Sequence, residues 1–264
     1  MKKLFISILL IIGSAKASLL DTFYSKSLNV LPHAMIFTEP CLTLNLYLNT
    51  DNILKNFKKI EHEKMLAFFK ETCAEITDEK INFYVGSSYH FGLSNQELAF
   101  VVRNNNIVIS QEYYVLLEEL FNKENLTEVD QKTLNILRFI LQHESSHLKN
   151  TDLKKRLIAS IFIAISQSVL YESLKNQSEF KYHKLISFFV LSLIGQLTFG
   201  KLCKAQEYNA DDAVYNKEVI KGGMQFFTNM INLYKNKPEL DWQNTFDGTH
   251  PSPESRFTRL NARL

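Results

Sequence analysis

Residues 130–150 read DQKTLNILRFILQHESSHLKN and hold the string His143-Glu144-Ser145-Ser146-His147. The stretch has no Gly or Pro, and Leu134, Leu137, Ile140, Leu141 and Leu148 recur at a helical spacing. Thr127 or Asp130 could cap its start. On a helix, residues four apart share a face, so His143 and His147 extend the stripe of Ile136 and Ile140 and face inward. Two imidazoles at that spacing can point at one metal ion, with the glutamate between them placed to take a proton from water. H-E-x-x-H therefore suits zinc-assisted hydrolysis of a peptide bond. Hydrogen-bonded core histidines are the alternative explanation of the same string.

A catalytic zinc takes three protein ligands and keeps one position open. Downstream, the helical-looking segment 205–213 offers Glu207, and Asp211 four residues later could accept a ring N–H from a ligand histidine. Alone, this reads as a solvated acidic helix face. Thr249-His250-Pro251, followed by Arg256, adds groups that could reach an oxyanion, or simply forms a proline-rich turn before a short helix.

Taken in order, the three motifs resemble the zinc metallopeptidases of the HtpX and CAAX-prenyl-protease type, family forty-eight of the metallopeptidases. That family shows H-E-x-x-H, then E-x-x-x-D with Ala before the Asp, then His-Pro followed by Arg. These read here as His143–His147, Glu207-Tyr208-Asn209-Ala210-Asp211, and His250-Pro251 with Arg256. The stretch His147 to Asp152 also looks familial. The resemblance covers roughly Ile81 to Leu264 and implies a zincin-like (gluzincin) domain, mainly α with a small antiparallel β-sheet. It implies one zinc per chain on His143, His147 and Glu207, Glu144 as general base and Asp211 behind the ligands. His250 and Arg256 would stabilise the tetrahedral intermediate or hold Glu207 and the substrate in place. A non-catalytic chaperone or assembly factor on the same fold is the alternative, but it would be expected to have lost a ligand or the base.

Residues 1–17 read as a secretory signal peptide: Met1-Lys2-Lys3, an apolar run from Leu4 to Ile12, then Ala15-Lys16-Ala17. Cleavage after Ala17 and a periplasmic or equivalent exported location are expected, with misfolded envelope proteins as substrates. Removing this segment takes away three lysines and changes the formal charge from +2 to −1. Nothing in that balance suggests a nucleic-acid surface. At 45% hydrophobic, the chain can bury a real core. Residues 18–80 read as an N-terminal helical segment, with one long amphipathic helix over Asn52–Ile76 broken near His62. Cys41 and Cys73 could pair in an oxidising compartment, and Cys203 reads as a small buried side chain.

Strand signals cluster at Ile81–Val85, Leu98–Arg103 and Ile107–Ser110, with Asn104-Asn105-Asn106 as a turn. Asn106, Ile107, Val108, Ile109 and Ser110 are expected to form the sheet edge along which an extended substrate aligns. Two apolar stretches, 157–171 and 185–200, lie where membrane members of the family have transmembrane helices. Ser166, Gln167, Ser168 and Gln196 interrupt them, and Lys149, Lys154, Lys155, Arg156, Lys201 and Lys204 flank them on the catalytic side. Buried core helices, or a surface dipping into a membrane as a peripheral contact, are expected rather than a transmembrane hairpin.

Overall fold

The computed structural model describes residues 44, 48, 50–52, 54–55, 57–86, 99–102, 105–174, 183–236 and 250–264. The signal-peptide reading and Cys41 lie outside them. In order come β1 (Lys58–Lys59), α1 (Glu63–Ala74), β2 (Asn82–Gly86), β3 (Ala99–Val102) and β4 (Asn106–Ser110). They are followed by α2 (Gln111–Phe121), α3 (Glu128–Lys149), α4 (Asp152–Leu174), α5 (His183–Ala213), α6 (Lys217–Asn236) and α7 (Pro253–Asn261). The fold is α+β and mainly helical, and it divides into two compact units, one of which includes residues 160–195.

In the larger unit, α1, α2, α3, α6 and α7 share one core with the sheet, built around Phe69, Phe83, Ile107, Ile109, Leu137, Leu141, Phe227 and Leu260. The sheet order is β1-β2-β4-β3. Strands β2 and β4 run parallel, while β1–β2 and β3–β4 are antiparallel. The sheet is therefore mixed, not antiparallel as expected. The expectation that Asn106–Ser110 forms the edge is also overturned: β4 is an inner strand and all five residues are buried. Ile107 and Ile109 point into the main core, and Val108 packs on the other face with Leu54, Phe100 and Val102. A strand covered on both faces reads as a continuous apolar run, which is what Ile107-Val108-Ile109 is. The strand packed against α3 is β3. Asn105, with φ 56°, turns the chain from β3 into β4, a left-handed conformation that Asn tolerates.

The break expected near His62 in the helix over Asn52–Ile76 is present, and what precedes it includes a short strand. His62 caps α1 by accepting from the Met65 amide, and Lys58–Lys59 before it form an edge strand. Cys73 is buried, and burial pushes its thiol up to about 12.

Helix α3 begins at a capping box. Thr127 Oγ1 accepts from the Asp130 amide at 3.2 Å, and Asp130 accepts in return from the Thr127 amide at 2.9 Å. Lys123 adds an ion pair to Asp130 at 2.6 Å. That hydrogen bond from Lys123, then those from Thr127, hold the Asp130 carboxyl down at about 2. Because the folded value is depressed, the contribution to stability is complete above the unfolded value of about 3.9 and is lost as pH falls through about 2. Thr127→Ala should destabilise the protein by about 1 kcal/mol. Thermal melts at neutral pH will show this, and melts across the acid range will show whether Asp130 gives up its share in that window.

The smaller unit contradicts the expectation of buried core helices. Its described core is only Ala164, Tyr171, Phe188 and Leu191. Phe162 is 71% exposed, and Ile165, Val169, Leu170, Ile186, Phe189, Val190, Leu193 and Ile194 are exposed as well. The polar interruption at Gln167 does not face outward, because its amide donates to the Leu191 carbonyl.

Candidate active site

Three elements converge on one buried cluster. Helix α3 supplies His143 and His147, the last turns of α5 supply Glu207 and Asp211, and α7 supplies Arg256. The ring nitrogens His143 Nε2 and His147 Nε2 are 3.1 Å apart. Glu207 Oε2 lies 3.3 Å from the first, and Glu207 Oε1 lies 3.4 Å from the second. In a tetrahedral zinc site with bonds of about 2.0–2.1 Å, neighbouring ligand atoms sit about 3.3–3.4 Å apart. Two imidazoles and one carboxylate at these separations fit that metal.

Both rings are held from behind. Asp211 accepts from His143 Nδ1 at 2.9 Å, and Asp152 accepts from His147 Nδ1 at 2.8 Å. This leaves each Nε2 as the inward-facing donor atom and fixes the tautomer. Burial opposes charge on His143, but Asp211 and Glu207 outweigh it and pull its pKa up to about 9. The cluster is thus built to attract positive charge.

Glu144 is half-buried, unlike the two histidines beside it. Burial raises its pKa, and the two neighbouring imidazoles work against that rise. Arg256 is buried behind the ligands. It donates to Asp211 through Nε at 2.8 Å and Nη2 at 2.7 Å, and its guanidinium lies 4.4 Å from the Phe227 ring centroid. Only Nη1, at 3.5 Å, approaches Glu207. Arg256 therefore braces Asp211 and, through it, the ring of His143. His250 is at the rim, with Nε2 3.7 Å from Glu207 Oε1 and a side chain 45% exposed.

So His143, Glu144, His147, Glu207, Asp211, His250 and Arg256 come together, while Asn106–Ser110 offers no edge. Three residues of the cluster were not singled out as site residues: Asp152, Arg156 and Gln206. Asp152 was signalled only by its place five residues after His147, and Arg156 by lying one helical turn beyond Asp152.

A two-histidine, one-glutamate cluster on a mainly helical domain with a small mixed sheet is the arrangement expected of a metallopeptidase. The family model for peptidase family M48 matches residues 74–264, and the chain belongs to that family, whose members are zinc-dependent metallopeptidases. No curated protein and no solved structure matches the chain.

Proposed function

We propose that this chain is a zinc metalloendopeptidase that cleaves polypeptide substrates, unfolded envelope proteins among them, in an exported compartment. The observation that carries the reading is the buried triangle of His143, His147 and Glu207, with the half-buried Glu144 beside it. When bound, zinc would polarise the scissile carbonyl and ease deprotonation of water. Glu144 takes the proton from the attacking water and returns it to the leaving amine. Asp211 and Asp152 keep the two rings in register, and Arg256 keeps Asp211 in place. His250, at the rim, donates to the oxyanion of the tetrahedral intermediate. The lysine-led apolar segment before Ala17 supports export, with Ser18 as the mature N-terminus.

Metal analysis of the mature protein should find one zinc per chain, casein should be cleaved, and a chelator should stop the cleavage. His147→Ala should strip the metal. Stoichiometric zinc in the double variant His147→Ala/Glu207→Ala, or cleavage that survives chelation, would sink the reading.

The exposed apolar faces of α4 and α5 are proposed to lie against lipid. Both helices hold windows of mean hydropathy 1.6. At 23 and 31 residues, each reaches about 35 Å or more, enough for a hydrocarbon core of about 30 Å. Alkaline carbonate extraction tests this. Retention in the pellet marks insertion and release marks peripheral contact, while mature protein found only in the soluble fraction before extraction overturns the proposal.

A further inference from the structure

The first turn of α4 carries Asp152 and Arg156, four residues apart and so on one face of the helix. Asp152 holds His147, as described above. Arg156 reaches the other side of the site. Its Nη2 donates to Glu207 Oε1 at 3.0 Å, and its Nε donates to Gln206 Oε1 at 2.6 Å. Gln206 Nε2 in turn donates to the Asp152 backbone carbonyl at 3.5 Å. His147, Asp152, Gln206, Arg156 and Glu207 thus form a chain of contacts that closes where His147 Nε2 meets Glu207 Oε1.

Glu207 is a long side chain with three torsions, and it must present its carboxylate between two imidazoles. Arg256 approaches it only at 3.5 Å and is otherwise engaged by Asp211. Arg156 is the nearer guanidinium, and its planar fork is itself anchored by Gln206. From this geometry we infer that Arg156 is a positioning residue for the third metal ligand: it fixes the Glu207 carboxylate in its ligating orientation before the metal arrives. A point-like ammonium cannot bridge Gln206 and Glu207 as the fork does, so lysine is an incomplete substitute here. The inference rests on the zinc reading proposed above.

The test measures zinc affinity by competition with a chelating dye, together with the visible spectrum of the cobalt-substituted protein. Arg156→Met should weaken zinc binding by roughly 10–100-fold, the range usual for loss of a group that orients a ligand. It should also change the cobalt spectrum, which reports ligand geometry rather than fold. Arg156→Lys should recover part of the affinity. A folded Arg156→Met protein with wild-type zinc affinity and an unchanged cobalt spectrum overturns the inference. If Arg156→Met does not fold, Arg156→Lys decides: affinity between one and two decades below wild type or partly recovered supports the inference, and full wild-type affinity overturns it. A wild-type chain that takes up no zinc fails the underlying zinc reading and is recognised before any variant is made.

Discussion

Glu144→Gln should keep its zinc and lose about 10⁴-fold in the rate of peptide hydrolysis, the upper end of what a general base contributes. The amide is nearly isosteric with the carboxylate, so the helix and its two ligand histidines are undisturbed. An amide cannot accept a proton at neutral pH. Glu144 is also the one member of the H-E-x-x-H string that bears charge near the site without holding the metal, and none of the rings is oriented by it. Metal content and casein turnover measured on the same preparation separate the two effects. Full zinc with near-normal cleavage would show that another group takes the proton. Loss of zinc would show that Glu144 supports the metal site itself.

Gly222→Ala should destabilise the larger unit by about 2–3 kcal/mol, because it overpacks a close helix contact. A Cβ at Gly222 would stand 2.4 Å from the backbone carbon and oxygen of Asn135 on α3. Backbone cannot rotate aside as a side-chain tip can. At Gly223 next to it, a Cβ would meet the Phe139 ring at 2.5 Å. Helix propensity pulls the other way, since Ala is favoured over Gly by about 1 kcal/mol in a helix interior, but relieving the overlap requires α6 to back away from the helix that carries both histidines. A melting temperature lowered by about 5–10 °C is expected for a unit of this size. Lys221→Ala, on the exposed side of the same helix, should change little and serves as the control. A neutral or stabilised Gly222→Ala protein would mean that α3 and α6 do not approach as closely as described.

How much of this was legible beforehand depended on whether the cause was local. The stripe from Leu134 to Leu148 predicts α3 because a 3.6-residue period and the absence of Gly and Pro are properties of the segment itself. Glu207 could be picked out only by resemblance, since a glutamate in the polar segment 205–213 carries no mark of burial. The β2–β4 pairing joins residues 24 apart in parallel, and no short-range signal announces such a contact. The run Ile107-Val108-Ile109 did announce an inner strand and was instead assigned to an edge. The break near His62 was legible, but Lys58–Lys59 is too short to read as a strand. Gln167 looked like a break in an apolar helix, yet its amide turns inward to the Leu191 carbonyl. Asp152 and Arg156 were hidden because their role depends on the turn at Thr151, whose φ of 53° is unusual for a β-branched residue.

One carboxylate, Asp211, is shared between the ring of His143 and the guanidinium of Arg256, whose positions lie 113 residues apart in the chain. This sets an order of events during biosynthesis. A nascent chain that has emerged only as far as α3 has two histidines and no third ligand, and one that ends short of α7 has a third ligand whose partner Asp211 is not yet held. The complete cluster therefore exists only once α7 has been made and has packed against Asp211. On the zinc reading proposed above, a partly made chain would lack the full ligand cradle, and the site would come into being with the last helix.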